Sequence, residues 1–259
     1  MADQFITSQI EDGVATLTIN NPPANTLSLA VMTELEAAIK TLLADAAVKA
    51  VILTGAGNMF IAGAEIREIA GIDSAAKGRS VTAKGQAILN MIEQAPKPVI
   101  AAINGLFCLG GGLELAMACH MRVASERVRM GLPEIDLGIM PGFGGTQRLP
   151  RIVGASKATE LILTGDKITG TEAKAIGLVN KVVPEADVLK EAKGLAKKIA
   201  SKGQVAVRSA LTAIGHGLAP MTAGLQKESE LFGGLCETAD MKEGIKAFVE
   251  KRRPKWSDK

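Results

Sequence analysis

Apolar and polar positions first alternate with a period of two. Ala15, Leu17 and Ile19 alternate with Thr16, Thr18 and Asn20, the pattern of a strand with one buried face. Phe5–Ile10 precedes it across Glu11-Asp12-Gly13, so the spacing predicts a hairpin, ended by Asn21-Pro22-Pro23. The period then lengthens. Met32, Leu35, Ile39 and Leu42 mark one face of a helix with Ser28 at its N-cap. The apolar run Ala50–Leu53 predicts a buried strand that opens into Gly55-Ala56-Gly57.

Forty-eight residues on, the arrangement recurs. Val51-Ile52-Leu53-Thr54-Gly55 is echoed by Val99-Ile100-Ala101-Ala102-Ile103-Asn104-Gly105, entered through Lys97-Pro98. Strands alternating with helices predict an α/β fold with parallel strands and crossovers. Loops at one edge of such a sheet are where α/β proteins bind ligands. A long glycine loop, Leu137 to Gly145, follows, and from about Ala186 the pattern is helix after helix, ending in Glu243–Lys251. The reading is an α/β core over residues 1–195 and a helical C-terminal region over 196–259.

Val99 to Cys119 imitates a membrane span, with only Asn104 and Glu114 polar among 21 residues. A central carboxylate costs several kcal/mol on insertion scales, and Gly105 and Gly110 to Gly112 break a helix. The stretch is expected to be a buried strand, a glycine loop and a buried helix, with no membrane partner.

Apolar residues are 47% of the chain and glycine adds 28 of 259, a sum above the ~45–50% of average domains. This implies a large core or extensive subunit contacts. Six Phe, one Trp and no Tyr leave little for base stacking, and a net charge of +3 defines no nucleic-acid binder. Met241 to Lys259 carries seven Lys/Arg against three Asp/Glu, a local +4. That is either a solvated terminal helix or a small site for an anionic ligand. Cys108, Cys119 and Cys236 form no CxxC pair and His120 and His216 have no zinc spacing, so reduced cytoplasmic thiols and no metal are expected. Met1-Ala2-Asp3-Gln4 shows neither a signal nor a transit pattern.

GxGxxG fails at Gly55 and Gly142, where the sixth positions are Phe60 and Gln147, and neither GxxxxGK[ST] nor GxSxG occurs. Two carboxylates remain. Glu114 sits between Gly110-Gly111-Gly112-Leu113 and Leu115-Ala116-Met117-Ala118, and Glu134 in Met130-Gly131-Leu132-Pro133-Glu134-Ile135. A carboxyl drawn out of water holds its proton to higher pH and exchanges it near neutrality. Two of them, each beside a glycine loop, suggest an acid and a base acting on one substrate. Around Gly63, the amides of Ala62 to Ala64 either form an ordinary tight turn or, with those around Gly111, hold a carbonyl oxygen that becomes an oxyanion.

Five segments in order then carry a resemblance: Phe60-Ile61-Ala62-Gly63-Ala64-Glu65; Lys97 to Gly105; Gly110-Gly111-Gly112-Leu113-Glu114-Leu115-Ala116; Pro133-Glu134; and Gly138 with Pro141-Gly142, then Gly144-Gly145-Thr146-Gln147-Arg148-Leu149. Together they resemble the enoyl-CoA hydratase/isomerase, or crotonase, family over almost the whole chain. The resemblance implies a spiral of ββα units, a helical C-terminal trimerisation region, and homotrimers or homohexamers. It implies an acyl-CoA thioester substrate, no separate cofactor, an oxyanion hole at the Ala64 and Gly111 amides, and catalytic roles for Glu114 and Glu134. Both glutamates are present, which favours hydration of a 2-enoyl-CoA over isomerisation, another acyl-CoA lyase reaction or a non-catalytic, RNA-associated role. It further implies substrate contacts at Ala62, Gly63, Glu65, Ile66, Arg67 and Gly112, and at Pro133, Gly142, Phe232, Phe248 and Lys251. Glu65 departs from the Asp usual in the family. Acyl length depends on a pocket lined partly by the poorly patterned segment Ile69–Met91.

Overall fold

The chain opens as its alternation requires. In the computed structural model, which describes residues 4–216 and 222–255, β1 (Ile6–Glu11) and β2 (Val14–Ile19) pair antiparallel. Asp12 and Gly13 both take positive φ between them, the two-residue turn that matches strand twist. The Ser28 hydroxyl accepts from the Val31 N–H and caps α1 (Leu29–Ala44), which buries Met32, Leu35, Ile39 and Leu42. Next come β3 (Ala50–Gly55), α2 (Ile66–Ala70), α3 (Ala75–Glu93) and β4 (Val99–Ile103). The apparent membrane span resolves into β4, β5 (Phe107–Leu109) and α4 (Gly111–Ala118). Among the described residues, no helix is long and apolar enough to cross a membrane.

Beyond it lie β6 (Met121–Ser125), β7 (Arg129–Gly131), a 3₁₀ turn (Pro133–Leu137), α5 (Gly145–Val153) and α6 (Ala155–Thr164). Then follow β8 (Ile168–Thr169), α7 (Gly170–Ala175) and β9 (Lys181–Val183). The chain continues through α8 (Val188–Ala200), α9 (Gln204–His216), α10 (Thr222–Leu235) and α11 (Ala239–Val249).

The main sheet runs β1-β2-β3-β4-β6-β9, parallel everywhere except the hairpin. The 48-residue echo is a physical pairing, with Val51 opposite Val99 and Thr54 opposite Ala102. A second stack, β5-β7-β8, is extended by bridges between Ile61 and Cys108 and between Leu27 and Ala64. Successive turns of chain thus add to both layers, which is the expected spiral. Strand residues facing one way (Leu17, Leu53, Ala101) join the main core with α1 and α4. Those facing the other way (Val14, Ile52, Ile100) pack under Val188, Ala192 and Ala196 of α8. Strands covered on both faces read as unbroken apolar runs, as Ala50–Leu53 does.

The last strand ends at Val183, and residue 195 lies inside α8, whose Ala192, Ala196 and Ala200 pack on the sheet. The last helix also starts earlier than its pattern suggests, because the Thr238 hydroxyl accepts from the Met241 N–H and caps it. Lys251 takes φ +54°, and Arg252 N–H bonds back to Ala247 O to close the helix. Arg252 pairs with Glu243 and Glu250, which neutralises part of the basic C-terminus. Its last lysine, Lys259, lies outside the described residues, as do Met1 to Asp3.

Candidate active site

The loop after β3 and the start of α4 meet at the edge of the second stack. Leu27 N–H bonds to Gly63 O at 2.9 Å, and Glu65 N–H bonds to Leu27 O at 3.3 Å. In such a parallel bridge the central residue's own peptide groups face the other way, so Ala64 N–H points from Leu27 toward α4. There, Gly110 adopts φ 50°, ψ −127°, a conformation that a side chain would strain, and Gly111 becomes the first residue of α4. Its N–H has no carbonyl one turn back to bond to. A Cβ placed on Gly111 would lie 3.7 Å from Ala64 N, so the two amides adjoin. Both nitrogens carry the positive end of a dipole, Gly111 with the α4 helix behind it, and this is the arrangement that stabilises a developing oxyanion.

Glu114, one turn into α4, is 2% exposed. Its Oε1 accepts from the Phe143 N–H at 2.8 Å and the Gly145 N–H at 2.7 Å. Two backbone donors on one oxygen fix the plane of the carboxyl. Glu134 is held on the 3₁₀ turn that Pro133 starts and Gly138, at φ +69°, ends. Its Oε1 would lie 3.0 Å from a Cβ on Gly110, which places it beside the oxyanion corner.

Glu114, Glu134, Ala64 and Gly111 line one cleft of about 540 Å³. Of the other expected contacts, Glu65, Arg67, Gly142 and Phe232 line it too. Ala62, Gly63, Ile66, Gly112 and Pro133 do not. They act as supports: Ala62 N–H is used by Ala24 O, and a Cβ on Gly112 would strike Ile61 O at 2.4 Å. Phe248 and Lys251 do not line the cleft of their own chain. Met241, Gly244, Ile245 and Ala247 form the buried face of α11, and Phe248 lies off that face, 58% exposed and outside the cleft. Lys251 is exposed beyond it. The cations in the lining are Arg67, Lys77 and Lys84.

Sequence reasoning missed Phe143 and Ile139, and it named the segment Ile69–Met91 as lining without marking its helix, α3. That helix turns Gly78, Thr82, Gly85 and Gln86 inward, so small and polar residues hide its buried face from an apolar count. The Phe143 ring fills the notch at Gly85, where a Cβ would lie 2.4 Å from it. The cysteines offer no rival nucleophile: all three are free and buried, and burial pushes Cys119 up to about 12 and Cys236 to about 11. His120 is structural. Its Nδ1 accepts from Val99 N–H at 3.0 Å, and burial holds its pKa down.

Two adjoining amides, with two carboxylates beside them in an apolar cleft on a ββα spiral, form an arrangement able to polarise a carbonyl group and to move protons next to it. The chain belongs to the enoyl-CoA hydratase/isomerase family, whose model matches residues 9–259. It is 44% identical over 262 residues to the crotonyl-CoA hydratase of Syntrophomonas wolfei, covering all of both chains. It is 46% identical over 246 residues to the short-chain-enoyl-CoA hydratase of Clostridium acetobutylicum, covering 94% of each. Among solved structures, the Bacillus anthracis enoyl-CoA hydratase superposes with TM-score 0.80 at 43% identity, over 99% of this chain and 100% of that one. An enoyl-CoA hydratase from Mycobacterium avium subsp. paratuberculosis reaches TM-score 0.88 at 28% identity, over 98% and 99%.

Proposed function

We propose that the protein is an enoyl-CoA hydratase that adds water reversibly to a 2-enoyl-CoA to give a 3-hydroxyacyl-CoA. The observation that carries this reading is the convergence of Ala64, Gly111, Glu114 and Glu134 on one cleft. The thioester oxygen accepts from the Ala64 and Gly111 amides. Glu114 takes a proton from water as its oxygen bonds to C3, the double-bond electrons move toward the thioester, and the enolate oxygen is stabilised where it forms. Glu134 then protonates C2, and a proton passes through water from Glu114 back to Glu134 to reset the pair. No cofactor beyond the CoA of the substrate enters this scheme.

The deciding experiment is loss of the enoyl-thioester ultraviolet absorbance with crotonyl-CoA, with mass spectrometry of the product. Gain of one water supports hydration. An unchanged mass with a moved double bond assigns isomerisation, and no reaction assigns a non-catalytic role. Exposed Phe248 and Val249 on α11, and the apolar residues Val205 and Ile214 exposed on α9, support assembly into a trimer or hexamer that covers them. Three free buried thiols support a reducing, cytoplasmic location.

A further inference from the structure

Among the described residues, Arg148 has the largest of the fully buried side chains, at 1% exposure. Its guanidinium ties α5 to two other segments: Nη1 donates to Phe143 O at 2.8 Å, and Nη2 donates to Asn90 Oδ1 at 2.7 Å and to Glu93 Oε2 at 3.0 Å. Asn90 and Glu93 share one face of α3 with Gln86, whose Nε2 donates to Gly142 O at 2.9 Å. The α3 face therefore holds two consecutive carbonyls of the glycine loop, one through Gln86 and one through Arg148. The N–H of Phe143 is one of the two donors on Glu114. Gly144, at φ +106°, completes the fit, since a Cβ there would lie 2.2 Å from Arg148 Nη1. A buried ion pair is weak evidence for stability, because apolar residues of like volume often serve as well. The planar fork of arginine, which spans several acceptors at fixed angles, is well suited to setting a loop's position.

We propose that Arg148 is a positioning residue for Glu114. By tying the Phe143 carbonyl to α3, it sets where the Phe143 and Gly145 amides stand and thereby the direction in which the Glu114 carboxyl faces the reacting water. This rests on the hydration reading above.

The test is Arg148→Lys, which keeps a charge for Glu93 but loses the fork. With crotonyl-CoA, kcat should fall roughly 10–100-fold, on the scale of a slightly misplaced catalytic group, with KM within about twofold. In a Glu114→Gln background the same change should cost less than about twofold more, because the group it positions has already lost its chemistry. Should Arg148→Lys fail to fold, the paired replacement Arg148→Met with Glu93→Met removes both charges together and takes the same measurements. Wild-type kcat in a folded variant, or an undiminished loss in the Glu114→Gln background, overturns the positioning role while the hydration reading stands. A wild-type protein that hydrates no enoyl-CoA overturns both.

Discussion

Gly145 N–H and Glu114 Oε1 lie 2.7 Å apart across 31 residues of sequence, in a space that admits nothing larger than glycine. A Cβ on Gly145 would stand 2.9 Å from that oxygen and 2.8 Å from Pro141 Cβ. The carboxyl is thus gripped on one oxygen by loop amides, and its chemistry is separable from its placement.

Glu114→Gln keeps an oxygen for both donors and loses only the proton acceptor. Turnover should fall roughly 10²–10⁴-fold, the range of one acid–base group, with an unchanged circular dichroism spectrum. Glu134→Gln should do the same. Hydration at near wild-type rate by either folded variant would sink the two-carboxylate scheme.

Gly111→Pro isolates the oxyanion amide. The first position of a helix accepts proline because its N–H makes no helical bond, so α4 should persist while one donor disappears. The expected loss in kcat is about 10²–10³-fold. Full activity in a folded variant would show that the Gly111 amide plays no part.

Cations in the lining should serve the phosphates of CoA. Lys84→Ala should raise KM several-fold and leave kcat nearly unchanged, the mark of lost uniform binding. The effect should shrink at high ionic strength and with a pantetheine thioester that lacks the nucleotide. Lys251→Ala is the comparison, because Lys251 stands outside its own chain's cleft. A KM increase that vanishes with the truncated thioester would place it on the CoA of a neighbouring copy, and no change would leave it structural.

His120 makes stability depend on pH. Its folded pKa is lowered from 6.5 by burial, so below that value the unfolded chain binds the proton more readily, and stability rises with pH wherever this holds. The contribution is complete above the unfolded pKa and is lost as pH falls from 6.5 toward the native value. Tm should therefore drop more in wild type than in His120→Asn, which keeps an acceptor for Val99 N–H, between about pH 8 and about pH 5.5. Parallel curves would refute it.

Assembly is checked by light scattering. A trimer or hexamer at micromolar concentration is expected, and Phe248→Glu should weaken it by burying a charge without a partner. A wild-type monomer would leave the exposed apolar residues of α9 and α11 without a role.

The sequence by itself determined the hairpin, α1, β3 and β4, since alternation, capping and apolar runs are local signals of backbone geometry. It also marked Glu114 and Glu134, because a carboxylate among apolar residues is conspicuous wherever it ends up, and family motifs added Ala64 and Gly111. The first turns of α3 were not legible, because their inward face, before Ile88, Leu89 and Ile92, is made of glycine, threonine and glutamine, with partners such as Ser229, at 2.7 Å from Thr82, on a distant helix. The placing of Phe248 and Lys251 was not legible for a related reason: a residue's exposure depends on which face of its helix meets the protein, and in α11 that face carries Met241, Ile245 and Ala247. The links from α3 through Arg148 and Phe143 to Glu114 were decided only by tertiary structure. Hydrogen bonds such as Phe143 to Glu114, 29 positions apart, and Arg148 to Asn90, 58 apart, leave no periodicity in a chain, and only the folded backbone brings them within 3 Å.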